Sequence, residues 1–289
     1  MKPQDLKTKI FLDGGDPNET KEIIDLLGFL DGQTTNPTLI SKNPEVKARL
    51  RQGETFSKGE IFAFYKKVVK EISLLLPRGS ISVEVYADRN TKTEDMLWQA
   101  REMFSWIGNA HIKFPINAEG LKTAKQVLKE GMRVNMTLCF SQEQAAAVYA
   151  ATKGARRSDV FVSPFVGRLD DRGENGMELI ANIIKMYQGG DGHVEVLTAS
   201  VRNNSHFLYA LVLGSDIITA PFAVLKEWSE KGMPLPDEHF RYDAKALESI
   251  SYQEIDLEKE WREYNISHEL TDAGIERFSN DWNALIRNQ

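Results

Sequence analysis

The sequence predicts an α/β fold, a (β/α)8 TIM barrel with a C-terminal helical extension, and three observations carry that expectation. Short β-rich runs alternate with amphipathic runs eight times over about 220 residues, the count and spacing of such a barrel. Several of the β-rich runs hold polar residues at every second position, and polar residues recur at their C-terminal ends, where this architecture builds its sites. No Gly-x-Gly-x-x-Gly follows the first run, so the alternative, a doubly wound sheet, lacks its phosphate-binding turn.

In chain order, Lys9-Ile-Phe-Leu-Asp13 reads as the first strand, and Asp16-Pro17 as the cap and first position of a helix reaching Leu27. A short strand over 32–36 stops at Pro37. Helical stretches follow over 44–51 and 57–76, the second with Ile61, Phe62, Tyr65, Val68, Val69 and Ile72 on one face before Pro77 and Gly79 stop it. The third strand, 80–85, precedes a helix carrying Met96, Leu97, Ala100, Met103 and Phe104. The remaining pairs are 110–114 with 118–130, 133–138 with 142–152, 160–164 with 177–187, 194–200 with 205–213, and 216–220 with 223–231. Beyond Pro234 the chain turns acidic and irregular, becomes helix-like again at Trp261, Tyr264 and Ile266, and ends in a helix over 271–286. Ile275, Phe278, Trp282 and Leu285 form that helix's apolar face. Residues 1–233 are therefore assigned to the barrel and 234–289 to an extension packed on it; with no Gly/Ser-rich linker between, the whole is one domain.

Bulk composition narrows the class. The 289 residues are 42% hydrophobic and 27% charged, an ordinary globular balance with enough chain for a large core. A net charge of −6 disfavours a general nucleic-acid binder while leaving room for a local basic pocket. The one cysteine, Cys139, rules out an internal disulfide and multi-cysteine metal sites, and reads as a small buried apolar residue. The start Met-Lys-Pro-Gln-Asp-Leu lacks a signal-peptide core, and no apolar run approaches the roughly 18 residues of a membrane span, so a cytoplasmic protein without a membrane partner is expected.

The chemistry centres on Lys113, set in Ile112-Lys-Phe-Pro115. An ammonium in an apolar strand either snorkels to water or works as an amine, and desolvated lysines are the ones that form Schiff bases. Strand alternation gives it companions that can point into the barrel: Ser82 and Glu84, His111 and Lys113, Asn135 and Thr137. Asp13, Asn36, Ser163 and Ser200 add polar groups at other strand ends. Singly, each has an ordinary explanation: Asn36 could shape a turn before Pro37, and Asp13 could cap the next helix. Together they would need independent reasons on seven strands. Asp13 and Glu84 can take and return protons, Glu84 through a water, while Thr137, Asn36 and Asn135 suit a hydroxylated substrate. The histidines His111, His193, His206, His239 and His268 lack ligand spacing, so a lysine mechanism without metal or cofactor is favoured. Downstream, Arg168 after the sixth strand joins Ser200 and Arg202 after the seventh, a set suited to a phosphate dianion.

Five ordered motifs then carry a resemblance. Leu30-Asp-Gly-Gln-Thr-Thr-Asn-Pro-Thr38, Ile112-Lys-Phe-Pro115, Asn135-Met-Thr-Leu-Cys-Phe-Ser141, Ser163-Pro-Phe-Val-Gly-Arg168 and Ala199-Ser-Val-Arg-Asn203 resemble the transaldolase family, and Leu270-Thr-Asp-Ala-Gly274 resembles its final helix. The resemblance implies a class I barrel enzyme in which Lys113 forms the Schiff base and Asp13 handles protons during carbon–carbon cleavage. It further implies that Glu84 and Thr137 order a catalytic water, and that Thr34, Asn36, Asn135 and Ser163 contact substrate. Arg168, Ser200 and Arg202 would hold its phosphate. The implied activity is transfer of a dihydroxyacetone unit between sugar phosphates in the pentose phosphate route. Fructose-6-phosphate aldolases of the same family release that unit instead, and they generally carry glutamine, tyrosine and lysine where this chain has Glu84, Phe165 and Arg202. The acidic stretch 236–261 matches neither group, and homo-oligomerisation stays open. A barrel that merely bound sugar phosphates would need none of Lys113, Asp13 and Glu84.

Overall fold

Eight parallel strands pair in sequence order and close first against last in the computed structural model, which describes residues 2–237, 239–244 and 246–286. They are β1 (Lys9–Asp13), β2 (Gly32–Thr34), β3 (Ser80–Glu84), β4 (Ala110–Pro115), β5 (Val134–Cys139), β6 (Val160–Pro164), β7 (Val194–Thr198) and β8 (Ile217–Ala220). The expected barrel is therefore present. Its outward positions are apolar because helices cover them: Ile10 and Leu12 join Ile23, Leu27, Leu225 and Trp228, while Val83, Ile112 and Phe114 join the larger core cluster.

Polar caps fix where helices begin after the strands. Asp16, Asn117, Ser141 and Asn203 each accept a backbone N–H of the first turn they precede, and Ser57 and Glu60 form a reciprocal capping box. Asp16, not Asp13, caps the first helix, which leaves the Asp13 carboxyl free to face the barrel axis.

The interior is layered. At the lower end, Lys9 Nζ meets Glu195 Oε1 at 3.0 Å. Above it, His111 stacks on Phe161 with centroids 4.1 Å apart, and Phe11 meets the same ring edge-on at 6.2 Å. The upper layer is polar, with Glu84, Lys113 and Asn135 side by side in register on β3, β4 and β5.

Three local expectations need correction. Strand β2 ends at Thr34, because Asn36 caps a five-residue helix, Pro37–Ser41, too short to show periodicity in the sequence. A second short helix, Val166–Asp170, follows β6 and carries Arg168. In the extension, irregular and then helical as expected, with one 3-10 turn at Trp261–Glu263, the final helix runs over Glu269–Asn283, capped by His268, rather than over 271–286. Ile286 lies beyond that helix, in a parallel bridge to Phe56. Between Pro234 and Glu260 the described residues form an irregular strap, pinned where Asn175 N–H donates to Glu248 O (2.8 Å) and Asn182 Nδ2 to Ile250 O (2.7 Å). Positions 1, 238, 245 and 287–289, which the assigned spans include, lie outside the described residues. Among those described, no helix is long and apolar enough to cross a membrane.

Candidate active site

At the C-terminal ends of the strands a cavity of about 140 Å³ is lined by Asp13, Thr34, Asn36, Lys113, Ser163, Phe165, Arg168, Ser200 and Arg202. The remaining expected residues, Glu84, Asn135 and Thr137, lie in the same upper layer but behind the lining. The carboxyl end of a parallel barrel is where this architecture places its chemistry.

Lys113 is 3% exposed. Its Nζ sits 2.8 Å from Glu84 Oε2 and donates to the Thr35 carbonyl at 3.1 Å. Tyr65, from the helix Lys58–Leu75, fixes this corner: its hydroxyl accepts the Glu84 N–H at 2.9 Å and shares a 2.6 Å bond with Thr35 Oγ1. Burial pushes the Glu84 carboxyl above its ordinary range, although Lys113 pulls the other way. Asp13 is raised for the same reason, against the pull of Lys113, the Thr34 hydrogen bond and Lys42. Thr34 Oγ1 donates to Asp13 Oδ1 at 2.7 Å and lies 2.6 Å from Thr219 Oγ1. Two carboxyls with raised proton affinity therefore flank one buried amine, an arrangement suited to passing protons near neutral pH.

Asn135 is fully engaged, donating to Ser82 Oγ at 3.0 Å and accepting from Ser163 Oγ at 2.6 Å. Asn36 spends its Oδ1 as the helix cap, accepting Leu39 N–H at 2.9 Å, which leaves its Nδ2 for the cavity. Asn36 thus shapes the turn before Pro37 and also lines the cavity. Thr137 Oγ1 is buried without a hydrogen-bond partner among the described residues, an orphaned group of the kind a water or ligand satisfies.

The other end of the cavity is cationic. Arg168 lies between the rings of Phe165 and Phe278, 5.7 and 5.5 Å from their centroids, and among the described residues it has no hydrogen bond or ion pair. Burial, with Arg277 and Arg202 nearby, pushes its guanidinium below its ordinary value, a penalty that a bound anion would relieve. Arg202 Nη2 pairs with Asp171 at 2.6 Å. The two arginines approach because Gly167 lies between their turns: a Cβ there would stand 2.3 Å from Ser200 O and 2.4 Å from Arg202 Nε.

Sequence reasoning missed Thr219, Lys42 and Arg277, all on the cavity wall. Arg277 comes from the helix Glu269–Asn283, which roofs the cavity. Asp281, on the same helix, accepts a hydrogen bond from the Thr38 hydroxyl. Gly274 allows the close approach, since a Cβ there would lie 2.6 Å from Leu138 Cδ2 and 3.0 Å from Arg168 Nη1. Among the described residues on the wall, five cations (Lys42, Lys113, Arg168, Arg202, Arg277) face one carboxylate, Asp13, in a chain whose net charge is −6. Cys139 is inert by comparison, its thiol pushed up to about 12 by burial.

A family model described as transaldolase/fructose-6-phosphate aldolase matches residues 10–289. A protein of Dehalococcoides mccartyi named probable transaldolase is 35% identical over 277 residues, 96% of this chain and 99% of that one. A Brucella ovis protein of the same name is 38% identical over 95% of this chain and 96% of its own length. A third, from Thermoplasma volcanium, is 41% identical over 75% of this chain and 86% of its own.

Proposed function

The chain belongs to the transaldolase/fructose-6-phosphate aldolase family, and from that premise we propose that it is a transaldolase moving a dihydroxyacetone unit between sugar phosphates through an imine on Lys113. The observation that carries the proposal is the buried Lys113–Glu84 pair at 2.8 Å with Asp13 across the cavity, since phosphate binding alone needs neither carboxylate nor amine. In this reading Lys113 gives its proton to Glu84 and attacks the ketose carbonyl. The carbinolamine then loses water to form the imine, with Glu84 relaying protons through a water that also supplies the orphaned Thr137 hydroxyl with a partner. Asp13 takes the proton of the C4 hydroxyl, the C3–C4 bond breaks, and its electrons enter the imine to leave an enamine. The aldose phosphate departs, an acceptor aldose phosphate enters, and the enamine carbon attacks its carbonyl while Asp13 returns the proton. Water then releases the new ketose from Lys113. Arg168, Ser200 and Arg202 hold the phosphate of each sugar in turn, with Arg277 as a further cation on the roof, while Thr34, Asn36 and Ser163 orient the hydroxyls, Asn135 acting from behind by holding the Ser163 hydroxyl.

Glu84, Phe165 and Arg202 favour transfer over release of free dihydroxyacetone, as do the names of the relatives. The test has two parts. Borohydride with fructose 6-phosphate is expected to trap the donor unit on Lys113, read by peptide mass; trapping elsewhere, or none, removes the mechanism. Dihydroxyacetone release is then followed with and without erythrose 4-phosphate, and release independent of acceptor would assign the aldolase activity instead.

A further inference from the structure

The two phosphate-facing arginines sit on different loops, so the distance between their guanidinium groups has to be held by something outside the cavity. Arg168 belongs to the helix Val166–Asp170, whose last residue, Asp170, points away from the cavity toward His206. His206 lies four residues beyond Arg202 and is buried. Its Nδ1 accepts the Arg202 backbone N–H at 3.4 Å, which assigns the ring proton to Nε2, 2.7 Å from Asp170 Oδ2. Asp170 and His206 thus tie the Arg168 helix to the Arg202 turn.

A third residue closes the knot. Tyr242 Oη donates to the same Asp170 Oδ2 at 2.8 Å and lies 2.8 Å from His206 Nε2. Its ring stacks on Tyr209, with centroids 5.6 Å apart and planes 16° from parallel, so the hydroxyl is aimed rather than free. Burial opposes a charge on Asp170, yet the hydrogen bonds from His206, Tyr242 and Gly176 N–H hold its carboxyl below the ordinary value. Tyr242 belongs to the acidic strap, which the sequence alone did not tie to the family but which lies inside the span that the family model matches.

We propose that Tyr242 is a positioning residue: by bonding Asp170 and His206 it fixes the spacing of Arg168 and Arg202, and so sets how well the cavity distinguishes a phosphorylated donor from its unphosphorylated analogue. The inference rests on the sugar-phosphate reading above. It gives the strap a role at the active site without any contact to substrate.

The test is Tyr242→Phe, which keeps the ring stacking and removes only the hydroxyl. KM for fructose 6-phosphate is expected to rise about fivefold with kcat within about twofold, the size of one lost hydrogen bond. The inhibition constant of inorganic phosphate is expected to rise by the same factor, while kcat/KM for unphosphorylated fructose stays put. A Tyr242→Phe protein with unchanged KM and unchanged phosphate inhibition overturns the proposal. So does equal loss with both donors, which would mark a general structural defect. A wild-type protein that favours neither donor would remove the sugar-phosphate reading itself, an outcome that needs no variant to detect.

Discussion

His111 and Lys113 sit two residues apart on one strand and point to the same side of the barrel, yet their surroundings are opposites. His111 has a stacking partner in Phe161 and hydrogen-bond partners on both ring nitrogens, Ser80 Oγ at 2.7 Å and Ser158 O at 2.8 Å. Its layer is complete. One level up, Lys113 stands between two carboxyls pushed above their ordinary range, near the Thr137 hydroxyl and the Arg168 guanidinium, neither of which has a hydrogen-bond partner among the described residues. A single strand therefore carries a finished core and an unfinished one. The difference teaches where to look for function: polar groups that satisfy one another hold the barrel together, and polar groups left short of partners wait for a ligand.

The contrast can be broken most severely at Lys113. Lys113→Met is expected to lower transfer by on the order of 10⁴-fold or more, with circular dichroism and cooperative unfolding preserved, because the other amine on the wall, Lys42, is exposed and is not the one paired with Glu84. Near-wild-type turnover would end the proposal. Next comes Asp13→Asn, which should cost about 10²- to 10³-fold in kcat as the proton carrier is lost. It should also raise stability at pH 7. Because the folded pKa of Asp13 lies above its unfolded value, this carboxyl favours the folded state below the unfolded pKa and ceases to as pH rises through the folded one. The amide removes the cost of an ionised buried carboxylate. Calorimetry is expected to find a midpoint a few degrees higher at pH 7, equivalent to about 1 kcal/mol, and no gain near pH 4. A lower midpoint at pH 7 would mean that Asp13 is not held at a cost.

The smallest effect belongs to the finished layer. Burial lowers the His111 pKa to about 3. Below pH 6.5 the unfolded chain gains a proton that the native ring refuses, so stability falls by up to about 1.4 kcal/mol per pH unit until about pH 3. His111→Gln should remove that part of the slope, cost about 1–3 kcal/mol at pH 7, and leave neutral turnover within a few-fold. Urea unfolding at pH 7 and pH 5 measures it; an unchanged difference between the two pH values would place the acid sensitivity elsewhere.

Much of this was legible in the residues. Alternation in β3, β4 and β5 exposed the inward set because a strand side chain has only two faces to choose from, and the cap at Asp16 marked a helix start through local chemistry alone, as Asn117 and Ser141, not read as caps from the sequence, also do. Thr219 was within reach of the same alternation rule, applied to β8. Arg277 was not. In sequence it is an arginine four residues before an aspartate on an amphipathic helix, the signature of an ordinary surface pair. Only the docking of that helix turns it toward Arg168, and the one local hint was Gly274 in mid-helix, a residue that weakens a helix unless something must come close. The strap was opaque for a related reason: Tyr242 acts through partners 36 and 72 positions away, and no periodic pattern encodes such a meeting.

The roof of the cavity carries a last consequence, for folding. Strand β1 pairs with β8 across some two hundred positions, and Thr38 meets Asp281 across 243. Two such closures are separate events, each with its own loop entropy, and nothing in the first enforces the second. A chain with a closed barrel and an undocked final helix would have native strands and core yet a flooded cavity, with Arg168 and Lys113 in water. Secondary structure and activity would then return on different clocks during refolding. The lag between them would report on one docking step, the arrival of a single helix over an otherwise finished barrel.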